Sequence, residues 1–345
     1  MHITEGIITG TSAVMYTGAG IALVGWGTSR MKKFANELPQ KKPLLGMGGA
    51  LIFFFSLIPI PAFTGTCTHP CGTPLVAILL GPFIGVALTG ASLLLQAAFF
   101  AHGGFGTWGA NVVALGLCGC ACGWGAFRLA RRLGLPLWAA GFAGGLIGDI
   151  AVYAASGFIL ATTLAKAPSP QYPFIGYLAA IYAAYLPTQL PIAVGEMLVT
   201  GLALQYAYNQ RPEVLEDLGI VESSHSVGKN KLVSIIFLLA LTVYLYGAVP
   251  LDLALADSSG NGAVDLTAGK EADQEPVNFA GMDEAVNEKL AEAAGRPAKA
   301  PLINTEEMGD LWNLLLLSAG GICGFIVGRY WHILWGGKTK PGNTH

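Results

Sequence analysis

The chain has 345 residues, of which 53% are hydrophobic and only 12% charged, with 47 glycines and a formal net charge of −2. A sequence this apolar and this sparsely charged excludes a soluble domain of comparable length, and its near-neutral balance gives no electrostatic footing for nucleic acid. It reads as an all-α integral membrane protein that crosses the lipid bilayer several times.

The start, MHITEG, has no Lys or Arg ahead of the first apolar run, and the first basic residue is Arg30. A signal sequence opens with basic residues, so Met1 reads as the start of the mature protein. A span needs about twenty predominantly apolar residues. Such stretches lie at 8–29, 44–63, 82–100, 107–127, 136–165, 173–207, 231–249 and 311–336. Lys and Arg gather at 30–42, 128–132, 211–231 and 338–340. The positive-inside rule places these connections in the cytoplasm and the N-terminus outside. Between the first two of them the number of crossings must be even, yet three apolar stretches lie there. The stretch PLVAILLGPFIG resolves this, because Gly81 followed by Pro82 breaks a helix. Residues 74–81 then form a half-helix dipping in from outside, and 82–100 returns outward. The alternative, a proline kink in one long helix, loses the parity. Broken backbone at membrane depth is tolerated where it lines a cavity or a binding site.

This topology puts the N-terminus, TGTCTHPCGT and AHGGFGTWGAN on the outer face, and with them His2, His69 and His102, three of the six histidines. The amine of Met1, the peptide nitrogen of His2 and its ring nitrogen can close two chelate rings in one plane, with a fourth corner open to His69. Tetragonal nitrogen donors suit Ni(II) or Cu(II). Taken alone, a histidine at position 2 is a surface residue. Near the same face, Gln96, His102, Asn111, Gln189 and Glu196 either orient the metal-bound imidazoles or tie helices together. Asp149 and Glu196 are the carboxylates placed inside spans, and Glu196 is a candidate to offset the cation's charge. Cys67 and Cys71 flank His69 in CTHPC and offer a rival, softer zinc site or a disulfide. The CGCAC run at 118–122 lies within a span, where cysteine behaves as a small apolar residue.

MHITEG, THPCGTPLVAILLGP (68–82), LLLQAAFFAHGGFGTWGAN (93–111), GDIAVY (148–153) and QLPIAVGE (189–196) follow one another within residues 1–210. In that order they resemble the signatures of the CbiM/NikM proteins, the metal-binding S components of energy-coupling-factor (ECF) cobalt and nickel transporters. The resemblance implies a seven-helix bundle with one helix short or broken, and an N-terminal segment plugging into it from outside. It implies Met1, His2 and His69 as metal ligands. It also implies Ni2+ or Co2+ as transported substrate without an organic cofactor, and ATPase subunits and a transmembrane coupling (T) protein as partners. The location would be the cytoplasmic membrane of a bacterium or archaeon. Coordination through a deprotonated amide tilts the choice to nickel; Co2+ uptake for cobalamin biosynthesis is the alternative.

Residues 211–230 form a cytoplasmic linker, and 231–345 place two apolar stretches around a loop, 250–309, that holds twelve acidic and four basic residues. The composition of the loop is that of a flexible segment, although MDEAVNEKLAEAA at 282–294 has the pattern of an amphipathic helix. Two helices flanking an extracytoplasmic loop resemble the small NikN/CbiN subunit fused to the chain, which leaves the C-terminus cytoplasmic. Around Gly228-Lys229 the phosphate-binding pattern fails, with Ser223 where its first glycine belongs and Asn230 in place of Ser or Thr. ATP hydrolysis therefore has to come from partners, for which the small-residue face AAGFAGG at 139–145 offers a docking surface. Two other classes remain, a metal channel and an intramembrane zinc enzyme built on His69, His102 and Glu196. The enzyme would need two histidines at helical spacing around a carboxylate, a pattern the sequence lacks.

Overall fold

In a computed structural model of the chain, the described residues are 2–57, 60–61, 66–100, 102–221, 280–281 and 283–300. Met1, the linker from residue 222, the expected spans at 231–249 and 311–336 and the rest of the 250–309 loop lie outside them.

Helix α1 (Gly10–Glu37) leads through a 3-10 turn (Pro39–Lys41) into α2 (Lys42–Phe55). Two short strands follow, β1 (Ile60–Pro61) and β2 (Thr66–Thr68), then α3 (Thr73–Leu80) and α4 (Pro82–Phe99). Helix α5 (Trp108–Arg132) contains a π-helical stretch at Val112–Gly119. The hairpin of α6 (Leu137–Leu164) and α7 (Phe174–Gln210) comes next, then short α8 (Pro212–Asp217). Far along the chain lie β3 (Ala280–Gly281), a π-helical turn (Asp283–Glu288) and α9 (Lys289–Ala293). Among the described residues, α4, α5, α6 and α7 are long and apolar enough to cross a membrane.

The break expected at Gly81 is present. Gly81 has φ 92° and ψ 151°, a conformation open in practice only to glycine, and Pro82 opens α4 where no backbone donor is needed. Apart from Leu79, every residue of the eight-residue α3 is buried, so the half-helix sits inside the bundle.

Helix α2 is shorter than the apolar stretch 44–63 implies. It stops at Phe55, where the Ser56 hydroxyl turns back to donate to the Ile52 carbonyl at 2.6 Å. Beyond it the chain enters a small sheet, in which β1 pairs antiparallel with β2 (Ile60↔Thr68) and β2 pairs parallel with β3 (Thr66↔Ala280). Hydropathy alone could not show this end, because the residues on either side of it are equally apolar.

The small-residue run 139–145 is used inside the bundle, which corrects its reading as a docking surface. Ala139 and Ala140 are fully buried, and a Cβ on Gly141 would lie 2.7 Å from the Gly201 Cα of α7. A Cβ on Gly145 would lie 2.6 Å from the Glu196 carbonyl oxygen. In lipid, where tails compete equally for apolar contact, such close backbone approach is what joins two helices.

The described part of the loop 250–309 takes up helical structure where an amphipathic helix is expected at 282–294, as a π-helical turn followed by α9. Its π turn and α9 bury Val286, Leu290, Ala291 and Ala294 against the core, with Asn287 accepting from the Tyr185 hydroxyl at 2.6 Å. Gln171 donates to the Ala293 carbonyl at 2.9 Å, and the Lys299 amide donates to the Glu5 carbonyl at 2.8 Å. The segment thus straps over one end of the bundle. At the other end, α5 finishes in Arg131 and Arg132, and Lys41 pairs with Asp217 at 2.9 Å.

Gly81→Ala is expected to lower stability by about 1–3 kcal/mol, since a Cβ there meets no neighbour and the whole cost is backbone strain. Gly125→Ala, equally free of neighbours but in an ordinary helical conformation, is expected to cost nothing. Thermal unfolding of the two variants in detergent checks the pair.

Candidate metal centre

The site begins with the segment ahead of α1. Residues 2–8 enter the bundle without regular structure, and Ile3, Ile7 and Ile8 are essentially inaccessible. Burying each isoleucine is worth about 2 kcal/mol, which fixes the segment as a plug. Its main chain is then gripped by the start of α5. The Ile3 amide donates to Asn111 Oδ1 at 2.9 Å, Asn111 Nδ2 donates back to the Ile3 carbonyl at 3.1 Å, and the Thr107 hydroxyl donates to the same carbonyl at 2.7 Å. The Gly106 amide donates to the Glu5 carboxylate at 2.7 Å. From the strap, Arg296 Nη1 donates to the Ile7 carbonyl at 3.2 Å.

This grip sets the His2 ring among two other imidazoles. Ring centroids lie 5.0 Å apart for His2 and His69, 4.2 Å for His2 and His102, and 5.4 Å for His69 and His102. One nitrogen from each ring falls within 4.8 Å of the other two, and the Nε2 atoms of His69 and His102 are 3.5 Å apart. His2 is 0% exposed, and neither of its ring nitrogens has a hydrogen-bond partner among the described residues. His69 Nδ1 lies 3.2 Å from the Pro70 carbonyl. A carbonyl only accepts, so Nδ1 carries the proton and Nε2 presents a lone pair to the cluster. Burial, with the charge of His102 nearby, holds His2 well below the usual imidazole pKa, and burial foremost does the same for His69. Both are neutral donors at neutral pH, the form in which imidazole binds a metal.

The other expected residues separate by what they touch. His102, expected behind the ligands, stands in the cluster itself. Asn111 holds the plug, as described. Gln189 pairs with Thr68, donating from Nε2 to Oγ1 at 2.9 Å, and the Tyr153 hydroxyl donates to the His69 carbonyl at 2.9 Å, so α6 and α7 clamp both sides of the β2–α3 loop. Glu196 does not face the imidazoles. Its two carboxylate oxygens accept the Cys71 and Gly72 amides, each at 2.8 Å, at the start of α3. Gln96 points away, donating to the Ser56 hydroxyl of the α2 end; only its backbone carbonyl reaches the site region, accepting from the His102 amide at 3.3 Å. Cys71 is a free, buried thiol, and the side chain of Cys67 lies outside the described residues, as does Met1.

Thr107, Thr68 and Tyr153 were not singled out from the sequence, although each lies in or beside a quoted motif. Their hydrogen bonds join elements far apart in the chain. A separate cavity of about 1070 Å3 lies at the arginine end, lined by Ile78, Gly81, Phe127, Arg128 and Arg131 among others, and none of the three histidines lines it.

Residues 2–214 match the family model for CbiM, the cobalt uptake substrate-specific transmembrane region. The chain is 36% identical to the cobalt transport protein CbiM of Geobacter sulfurreducens over 335 residues, covering 97% of this chain and 90% of that protein. It is 36% identical to a putative cobalt transport protein CbiM of Methanocaldococcus jannaschii over 222 residues, 64% of this chain and 93% of that one. A crystal structure of a truncated transition metal transporter superposes with a TM-score of 0.52 at 25% identity, covering 61% of this chain and 99% of its own. A plug held by Asn111, three convergent imidazoles and a broken helix beneath them thus lie within the matched region, and the chain belongs to the CbiM family.

Proposed function

We propose that the chain is the metal-binding S component of an ECF-type importer that takes up Co2+ across the cytoplasmic membrane. The observation that carries this is His2, buried with two unpartnered ring nitrogens beside two further imidazoles. Such an arrangement is costly when empty and satisfied by a cation. The ligands in this reading are the ring nitrogens of His2, His69 and His102, joined by the amine of Met1 and the His2 peptide nitrogen as the chelate chemistry suggests. Asn111, Gln189 and Glu196 position the two chain segments that bring the imidazoles together. The printed names of the relatives favour cobalt. Nickel, favoured by the planar amide geometry, is the alternative, and selective retention of Ni2+ over Co2+ by the parent chain in the titration below would favour it.

The same reading gives the chain no reaction to catalyse. It assigns ATP hydrolysis to partner ATPase subunits and the movement of the site to a transmembrane coupling protein. It keeps the N-terminus and the strap extracytoplasmic and the C-terminus cytoplasmic, and treats 231–345 as the NikN/CbiN-like part. The docking of residues 283–300 on the plug supports that assignment, since an accessory subunit's loop would act there.

Titration of the purified full chain with Co2+, Ni2+ and Zn2+, by calorimetry with elemental analysis, tests the site. His69→Ala and His102→Ala are each expected to abolish tight binding, and a glycine inserted between Met1 and His2 to weaken it strongly, with Co2+ bound more tightly than Zn2+ by the parent chain. Asn111→Ala, which leaves every imidazole in place, is expected to lower the affinity roughly 10- to 100-fold. Unchanged affinity in His69→Ala would remove the histidine site.

A further inference from the structure

The half-helix α3 leaves a gap that the metal site does not use. Its eight residues rise about 12 Å, less than half of the about 30 Å of a bilayer's hydrocarbon core. At Gly81 the chain turns into α4, and among the described residues no helix continues α3 toward the arginine end. The cavity of about 1070 Å3 lies there, lined by residues of α1, α3, α5 and α7, with Gly81 in its wall.

The lining divides by chemistry. Leu38, Ile78, Leu80 and Phe127 make an apolar part. Arg128, Arg131 and Arg132 make a basic one; spaced three and four apart, they share a face of α5 with Trp124. Two of these guanidiniums are held in place. Arg128 lies over the Trp124 ring, 5.0 Å from its centroid, and Arg131 Nη1 donates to the Leu135 carbonyl at 2.9 Å. Of the acidic lining residues, Asp217 is engaged by Lys41 at 2.9 Å, which leaves Glu216 set against three guanidiniums. Trp124 and Tyr208 also line the cavity, and both are residue types enriched at the headgroup level of a membrane.

A space that is apolar at one part and cationic at another, at headgroup level, fits a ligand of the same polarity with the opposite charge. The planar fork of a guanidinium matches the oxygens of a phosphate, and basic pockets between spanning helices bind anionic headgroups. A free phosphate would use the arginines and leave the apolar lining wet. We propose that the cavity is a binding site for an anionic phospholipid, with its phosphate on Arg128, Arg131 and Arg132 and the upper part of its acyl chains against Leu38, Ile78 and Leu80. The lipid takes the place of the helix that α3 does not complete.

The test is lipid retention by the purified full chain, read by native mass spectrometry after exchange into detergent containing phosphatidylglycerol or phosphatidylcholine. The parent is expected to retain phosphatidylglycerol about tenfold more than phosphatidylcholine, and Arg128→Gln combined with Arg132→Gln to remove that preference. Lys32→Gln combined with Lys33→Gln, at basic positions of α1 outside the cavity, is expected to keep it. Should the arginine variant not reach the membrane, Arg132→Gln alone, at an exposed position, carries the same test with an expected loss of about fivefold. Equal retention of the two lipids by the parent overturns the site, and so does a preference unchanged by the arginine substitutions. An equal loss in the lysine variant also overturns it, by reducing the effect to general surface charge. Unchanged phosphatidylglycerol retention together with loss of a co-purifying coupling protein would give the cavity to a partner helix instead.

Discussion

The histidine end of the molecule depends on one contact, the Asn111 side chain bonded to both the amide and the carbonyl of Ile3. A side-chain amide used this way imitates a neighbouring strand, so the chain's first residues behave as if added to a sheet that is not there. Without it, the plug would rest on three isoleucines, whose burial favours entry but cannot set register. With it, His2 has one place to stand, between His69 and His102. The strap adds two more bonds to the same segment, to Glu5 and Ile7, and locks it from the side away from the bundle.

That precision carries an energetic consequence. Three imidazoles packed together in a buried pocket leave His2 without a hydrogen bond among the described residues, and a buried unpartnered polar group costs about 1–3 kcal/mol. The plug, the clamp on the β2–α3 loop and the strap offset that cost. A site built this way is organised before its ligand arrives, so the cation loses little affinity to reorganising protein. It also accounts for the broken helix. The start of α3 has amides that Glu196 satisfies, and this fixes the loop bearing His69 to α7.

Much of this was legible in the sequence, and what was not has a common cause. The break at Gly81 follows from local backbone chemistry, and the apolar stretches 136–165 and 173–207 begin within one residue of α6 and α7. His2 and His69 were marked by their motifs. The entry of His102 into the cluster, in place of a supporting position behind it, depends on how the loop after α4 folds over the plug, and spacing carries no trace of that. The end of α2 was hidden because hydropathy does not distinguish a helix from a short strand of equally apolar residues. Docking of the acidic segment was hidden for the opposite reason. Its composition is that of a flexible loop, and what holds it down is a few buried residues on one face, the pairing of β3 to a strand more than two hundred residues earlier and hydrogen bonds to Tyr185, Gln171, Glu5 and Ile7. Of the two roles the sequence leaves open for Glu196, the structure shows the tie between elements, since a carboxylate suits an amide pair at a helix start as well as it suits a cation.

The most direct measurement is X-ray absorption on the full chain loaded with one equivalent of Co2+. Binding by the plug and its neighbours gives a first shell of nitrogen with the multiple-scattering pattern of two or three imidazoles and no sulfur. A sulfur shell near about 2.3 Å, or a shell without imidazole, would move the ion to the CTHPC cysteines and contradict the histidine site.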